Sequence, residues 1–157
     1  MYGDLEQLLT WDYHYWLQRG SFEVEFGDLS HAENFLNQAK GLAPDDPYVD
    51  TERAYLMFAQ ALAAPNTERA VELVEEATAS LELQMARLDR RDVYPFHVLG
   101  SQGLAWSRKG LHSDADRERY LRQVLQHVEE GEKRHPREST IQQPACRYQE
   151  GVFEYSS

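Results

Sequence analysis

The sequence predicts an all-α fold, an antiparallel helix-pair solenoid of six or seven helices, on three observations. Small residues recur at fixed intervals: Gly27 follows Gly20 by seven and Ala32 follows Gly27 by five, and Gly103, Gly110 and Ala115 repeat that spacing. Between such points the apolar residues fall three and four apart, the period of an amphipathic helix. Stop and start signals then alternate along the chain, as in Gly27–Asp28, Asp46–Pro47 and Ser113–Asp116.

The elements follow in order. Residues 4–10, DLEQLLT, form a short leading helix or the first turns of one continuing through Trp11. Residues 11–26 form a helix with Trp16 and Gly20 facing inward; SFEVEF alternates like a strand but continues the helical pattern to Gly27. Gly27 is expected to supply positive φ, with Asp28 capping the next helix. That helix covers residues 29–42, with Leu29, Ala32, Phe35, Leu36 and Ala39 as its apolar stripe. Two antiparallel helices approach closely only where a side chain is nearly absent, so Gly20 and Ala32 should form the contact. Trp16 should fill the space beside it, where truncation to Ala costs about 3–5 kcal/mol.

Asp46 caps a third helix that begins at Pro47, where the missing amide hydrogen costs nothing, and ends near Ala63. APNT forms a turn, with Asn66 or Thr67 as cap, and the following helix runs to about Asp89 through Ala70, Val74 and Ala77. Its acids Glu72, Glu75 and Glu76 should face solvent. The third unit, from Val93, ends its first helix at Gly110. Ser113 and Asp116 open the last helix, which should carry Tyr120, Leu121, Val124, Leu125 and Val128 inward and reach Arg134 before Pro136. Residues 1–134 thus form a repeat domain. Residues 135–157 form a tail with Tyr148, Val152, Phe153 and Tyr155, expected to pack over the last helix, in a groove or at an interface.

Trp16, Gly20, Gly27, Ala32, Ala39 and Pro44, within WLQRGSFEVEFGDLSHAENFLNQAKGLAPDDP, resemble the tetratricopeptide (TPR) repeat, a 34-residue helix-turn-helix unit. The resemblance implies about three repeats in a right-handed stack and a protein-binding scaffold. There are departures: Asp50 stands at the equivalent of Trp16, Ala70 replaces a small residue expected at 66, and Arg122 replaces the equivalent of Ala39. The last unit therefore reads as an outer cap with a polar face. The segment WLQRGSFEVEFGDLSHAENFLNQA also resembles TPR-type C-terminal segments of large bacterial multidomain proteins, including signalling and defence NTPases. That likeness implies a sensor or oligomerisation domain of a larger protein.

Composition limits the function classes. A net charge of −11 argues against nucleic-acid binding, which needs clustered Lys and Arg. No basic leader or long apolar run is visible, so no membrane association and a cytoplasmic location are expected. Cys146 is the only cysteine, which excludes an intramolecular disulfide and a multi-cysteine zinc site. Residues 1–84 hold 16 acids against 4 bases, and residues 85–137 hold 8 against 11. Solvated helix faces account for this; the sharper alternative is end-to-end packing with a second copy, a homo-oligomer, or with a flanking domain.

His14, His31, His97, His112, His127 and His135 include no HExxH and no i, i+4 pair, so no metal or cofactor is expected. No GxSxG elbow or phosphate-binding loop occurs, so no catalytic residue is assigned. The repeat resemblance instead implies that the first helix of each pair lines a concave groove. In the first unit this gives His14, Leu17, Ser21 and Val24, and in the second Tyr48, Thr51, Tyr55 and Phe58. The third gives His97, Leu104 and Arg108. Such an aromatic and polar groove suits a peptide or helix from a protein partner. The positions where some TPR domains clamp an acidic C-terminus carry Leu17 and Ser21, so that activity is not implied. The rival from another class is a small enzyme using His14 or His97 with nearby acids.

Overall fold

The computed structural model describes residues 12–87, 93–111 and 113–134. Among them are six helices: α1 (Tyr13–Phe26), α2 (Leu29–Leu42), α3 (Pro47–Ala63), α4 (Glu68–Arg87), α5 (Tyr94–Lys109) and α6 (Asp114–Arg134). The tail and the leading helix expected at 4–10 lie outside the described residues. The helices pack most extensively as sequential pairs, α1 on α2, α3 on α4 and α5 on α6, an arrangement consistent with a helix-pair repeat. The first helices also pack on one another, α1 on α3 and α3 on α5. They form one layer with α3 at its centre.

Side-chain caps set where the helices begin. Asp12 Oδ1 accepts the His14 amide at 3.0 Å, and Asp28 Oδ1 accepts those of Ser30 and His31 at 2.7 and 3.2 Å. Asp46 Oδ1 accepts the Tyr48 amide at 2.8 Å, with Pro47 at the first helical position. Of the two candidates for α4, Thr67 makes the capping bond, accepting the Ala70 amide at 3.0 Å. Each bond satisfies an amide that the helix itself cannot. Gly27 differs from expectation, since its φ is −135° and no left-handed turn forms. Glu23 folds over it instead and accepts the Asp28 amide at 2.7 Å, where a β-carbon on Gly27 would collide with the Glu23 carboxylate.

The core has two clusters that meet at α3. Tyr15, Trp16, Leu17, Ala32, Leu36 and Ala39 join Val49 and Leu56 of α3 in the first. Ala54, Phe58 and Ala61 of α3 belong to the second, with Leu81, Phe96, Leu99, Trp106 and Val124 among its members. The close approach predicted at Gly20 is present, but its nearest neighbour is Leu36 rather than Ala32; a β-carbon there would lie 2.5 Å from Leu36 Cδ2. Gly103 makes the same kind of contact with Val124, 2.7 Å from an added β-carbon.

The third pair keeps the motif and slips its register. Gly20 meets a residue 16 positions later, whereas Gly103 meets one 21 later. The connection from Gly110 to Asp114 is longer than that from Gly27 to Leu29, which displaces α6 along α5. Ala115 is consequently exposed although it matches Ala32 in sequence. Leu125, expected inward, is 41% exposed, and Val124, Val128 and Gly131 form the buried stripe with Tyr120 and Leu121 half-buried.

Candidate functional site

A cleft of about 400 Å³ opens between α1 and the start of α3. Tyr13, His14, Leu17, Gln18 and Ser21 line it from α1, and Asp46 and Tyr48 line it from the other side. The α1 residues recur at helical spacing, so one face of one helix supplies all five. Asp46 is fixed by its capping role. Its hydrogen bond to the Tyr13 hydroxyl, followed by burial, pushes that phenol above its ordinary range.

Beneath the cleft lies a buried acid. Glu52 is 2% exposed, and its carboxylate accepts a hydrogen bond from the Tyr94 hydroxyl of α5, with the Ser21 hydroxyl close enough to favour its charged form. Burial pushes the Glu52 carboxyl up from the ordinary carboxylate range, the two hydroxyls oppose this, and the nearby charge of Glu25 adds to it. The Tyr94 ring stacks on that of Tyr48 with centroids 5.2 Å apart and 22° between planes. Burial and then Glu52 hold the Tyr94 phenol far above its usual range, and burial with Glu25 and Glu52 raises Tyr55. Residues from α1, α3 and α5 therefore meet at one point: Ser21 with Glu52, and Glu52 with Tyr94.

The structure divides the residues expected from sequence. His14, Leu17, Ser21 and Tyr48 share the cleft; Tyr48 is 42% exposed, while Leu17 is buried and forms its floor. The His14 ring also lies against Asp12, 3.1 Å from its carboxylate. Tyr55 is half-buried and close enough to feel Glu25 and Glu52, while Val24 packs against the first core cluster. Thr51 and Phe58 are 1% and 0% exposed and offer a ligand no surface; the Thr51 hydroxyl donates to the Pro47 carbonyl at 2.9 Å. His97 and Leu104 are half-buried and Arg108 is exposed, all on α5, with α3 between them and α1. The two histidines of the catalytic alternative are thus on different helices, separated by a third.

Glu52, Tyr94, Tyr13, Gln18 and Asp46 were not among those residues. A signal for Glu52 exists: Val49, Ala54, Leu56, Phe58 and Ala61 cover more than one side of α3, so acids on that helix had to be buried too. Asp50 shows the same effect. It occupies the position where the repeat expects an aromatic, and Lys40 of α2 pairs with it at 2.8 Å and Arg87 of α4 at 3.8 Å. Lys40 also donates to the Pro44 carbonyl at 2.6 Å, and Arg87 to the Asp45 carbonyl at 3.3 Å. An ionic clamp across three helices replaces an aromatic plug.

A second cleft of about 350 Å³ lies between α4 and α6, walled by Val74, Trp106 and Leu111 and crossed by a hydrogen bond of 3.1 Å between the Thr78 and Tyr120 hydroxyls. Burial pushes the Tyr120 phenol up to about 12. Among the described residues, no group of three or more His, Cys, Asp or Glu is placed to hold a metal ion, and no helix is long and apolar enough to cross a membrane. Compared with protein-family models, curated proteins and solved structures, the chain matches none.

Proposed function

We propose that this chain is a non-catalytic, cytoplasmic interaction module of the TPR kind, binding a peptide or helix of a protein partner along the face formed by α1, α3 and α5. The observation that carries this reading is the cleft between α1 and α3, which places an exposed Tyr48 ring, stacked on Tyr94, beside the polar Ser21, Gln18 and His14. An apolar floor with polar groups at the rim suits side-chain recognition along an extended ligand. The test is affinity capture with the intact chain against Tyr48→Ala, with the helical circular dichroism of the two compared first. Proteins captured by the wild type and lost with a folded Tyr48→Ala support the reading. An identical captured set refutes it.

A second reading, self-association as in a sensor or oligomerisation domain of a larger protein, is favoured by one feature. Phe22 and Phe26 are 59% and 72% exposed on α1, their rings 5.3 Å apart, in the acidic half of the chain. Light scattering across concentration and salt separates the two. A dimer supports self-association, through the acidic and basic halves where high salt dissociates it and through Phe22 and Phe26 where it persists in high salt; a monomer at every concentration and salt sinks it.

A further inference from the structure

We infer that the cleft between α1 and α3 recognises a basic side chain, Lys or Arg, of the bound peptide. This rests on the peptide-binding reading above and adds the chemistry of the partner.

The walls come first. Tyr48 presents a ring that is exposed to the cleft yet fixed from behind by its stack on Tyr94, and Tyr13 stands on the opposite side near Asp46, its ring centroid 4.0 Å from that of His14. Ring faces held in this way attract an ammonium or guanidinium group through their quadrupole. Leu17 on the floor would cover the methylene stem of a long basic side chain, which snorkels its charge toward polar atoms. Ser21 and Gln18 supply oxygen acceptors, and Asp46 a carboxylate, at the cleft surface.

Among the described residues the charge around the cleft is unbalanced toward negative. Asp46 lines it, and Glu52 with Glu25 lies behind Ser21 and Tyr48. The bases described in α1 to α4 are Arg19, Lys40, Arg53, Arg69 and Arg87, and each has another place, Arg87 on Asp50 and the Asp45 carbonyl. The Arg19 guanidinium lies 4.3 Å from the Phe35 ring centroid, Lys40 is on Asp50, and Arg69 is 3.3 Å from Glu72. Arg53 lines a different cleft, beside Glu33 and Glu76. Glu52 is accordingly held by hydroxyl groups where Asp50, two residues before it, is held by cations. A peptide base would supply the counter-charge, whereas an acidic residue would meet the Asp46 carboxylate at the surface and the buried Glu52 behind it. The surplus of acid in residues 1–84 would also steer basic segments toward this end of the molecule.

The experiment is selection of a displayed random-peptide library on the intact chain, followed by fluorescence anisotropy with a selected peptide carrying fluorescein. Binders should be enriched in Lys or Arg at one position, and replacing that residue by Gln in the peptide should weaken binding about tenfold. Tyr48→Ala should cost about as much. Asp46→Asn, which keeps the cap because Asn caps as well as Asp, should weaken binding about threefold and reduce its salt dependence. A Glu75→Gln, Glu76→Gln pair on the exposed face of α4 removes more charge and should change affinity by less than about twofold. Binders lost with Tyr48→Ala but lacking basic residues overturn the inference and leave the peptide-binding reading standing. Binders indifferent to Tyr48→Ala, or a library that yields none, overturn both. Equal losses from the α4 pair mean bulk charge attraction and also overturn the inference.

Discussion

The bond from Tyr94 to Glu52 can be tested without knowing any ligand. Tyr94→Phe keeps the ring, and so the stack on Tyr48, but removes the hydroxyl that donates to a carboxylate only 2% exposed. A hydrogen bond to a charged group contributes about 1.5–3 kcal/mol, and leaving the acceptor buried and short of a partner sets the loss in the same range. The Ser21 hydroxyl still reaches Glu52, which places the expectation at the lower end, about 1.5–2 kcal/mol. In a Glu52→Gln background the same ring change removes only a neutral hydrogen bond, about 0.5–1.5 kcal/mol. Urea denaturation of the four proteins at neutral pH closes a double-mutant cycle, in which the coupling should be about 1 kcal/mol. A coupling indistinguishable from zero, with Tyr94→Phe no worse in the wild type than in the Glu52→Gln background, would refute the charged bond and the buried site built on it.

Three further changes separate packing from charge. As pH rises, Glu52→Gln should gain on the wild type: burial raises the folded carboxyl above its unfolded value, so its contribution is complete below the unfolded value and lost as pH climbs through the folded one. Thermal melts at stepwise pH that show the opposite trend would reverse that sign. Gly20→Ala should cost about 1–3 kcal/mol by driving a methyl into Leu36, whereas Gly41→Ala, with open space around it near the end of α2, should add up to about 0.5–1 kcal/mol; equal effects on the urea midpoint would deny the close helix contact. Asp50→Asn should cost about 1–2 kcal/mol, less than a fully buried ion pair because Lys40 and Arg87 are 31% and 42% exposed. Removing the exposed Asp116 partner of Arg119 should cost less than about 0.5 kcal/mol in the same assay.

The helix pairs were legible because caps, turns and small residues act locally. Asp28, Asp46 and Thr67 do in the structure what their sequence context predicts, since a side chain two or three residues from an orphan amide needs no tertiary information. Register was legible only where the turn kept its length. Gly103 and Ala115 repeat the spacing of Gly20 and Ala32, yet the longer connection after Gly110 carries Ala115 to the surface. Groove residues divided for a related reason. The register implied by the repeat resemblance put Leu17, Ser21 and Tyr48 in one groove, but it does not say which neighbouring helix covers each face. Thr51 and Phe58 lie under such neighbours. Tyr94 was missed because it reaches Glu52 from 42 residues away in sequence.

α3 explains why the acids of this chain matter more than their number. Most of the acids on α4 and α6 are solvated and interchangeable, as Glu72, Glu75 and Glu76 illustrate. α3 is packed on by α1, α2, α4 and α5, so its two acids, two residues apart and on opposite sides of the helix, had to find partners in different directions. Asp50 points to the second-helix side and closes a clamp with cations from α2 and α4, which ties the first two pairs together. Glu52 points toward α1 and α5, where the Tyr94 hydroxyl donates to it and, among the described residues, no cation pairs with it. If stability were the sole demand on that site, an apolar residue of similar volume would serve as well or better, because a buried carboxylate that no cation among the described residues offsets costs more than it returns. A charge kept at the junction of α1, α3 and α5, behind an open cleft with a stacked tyrosine, makes sense if the cation arrives with a partner.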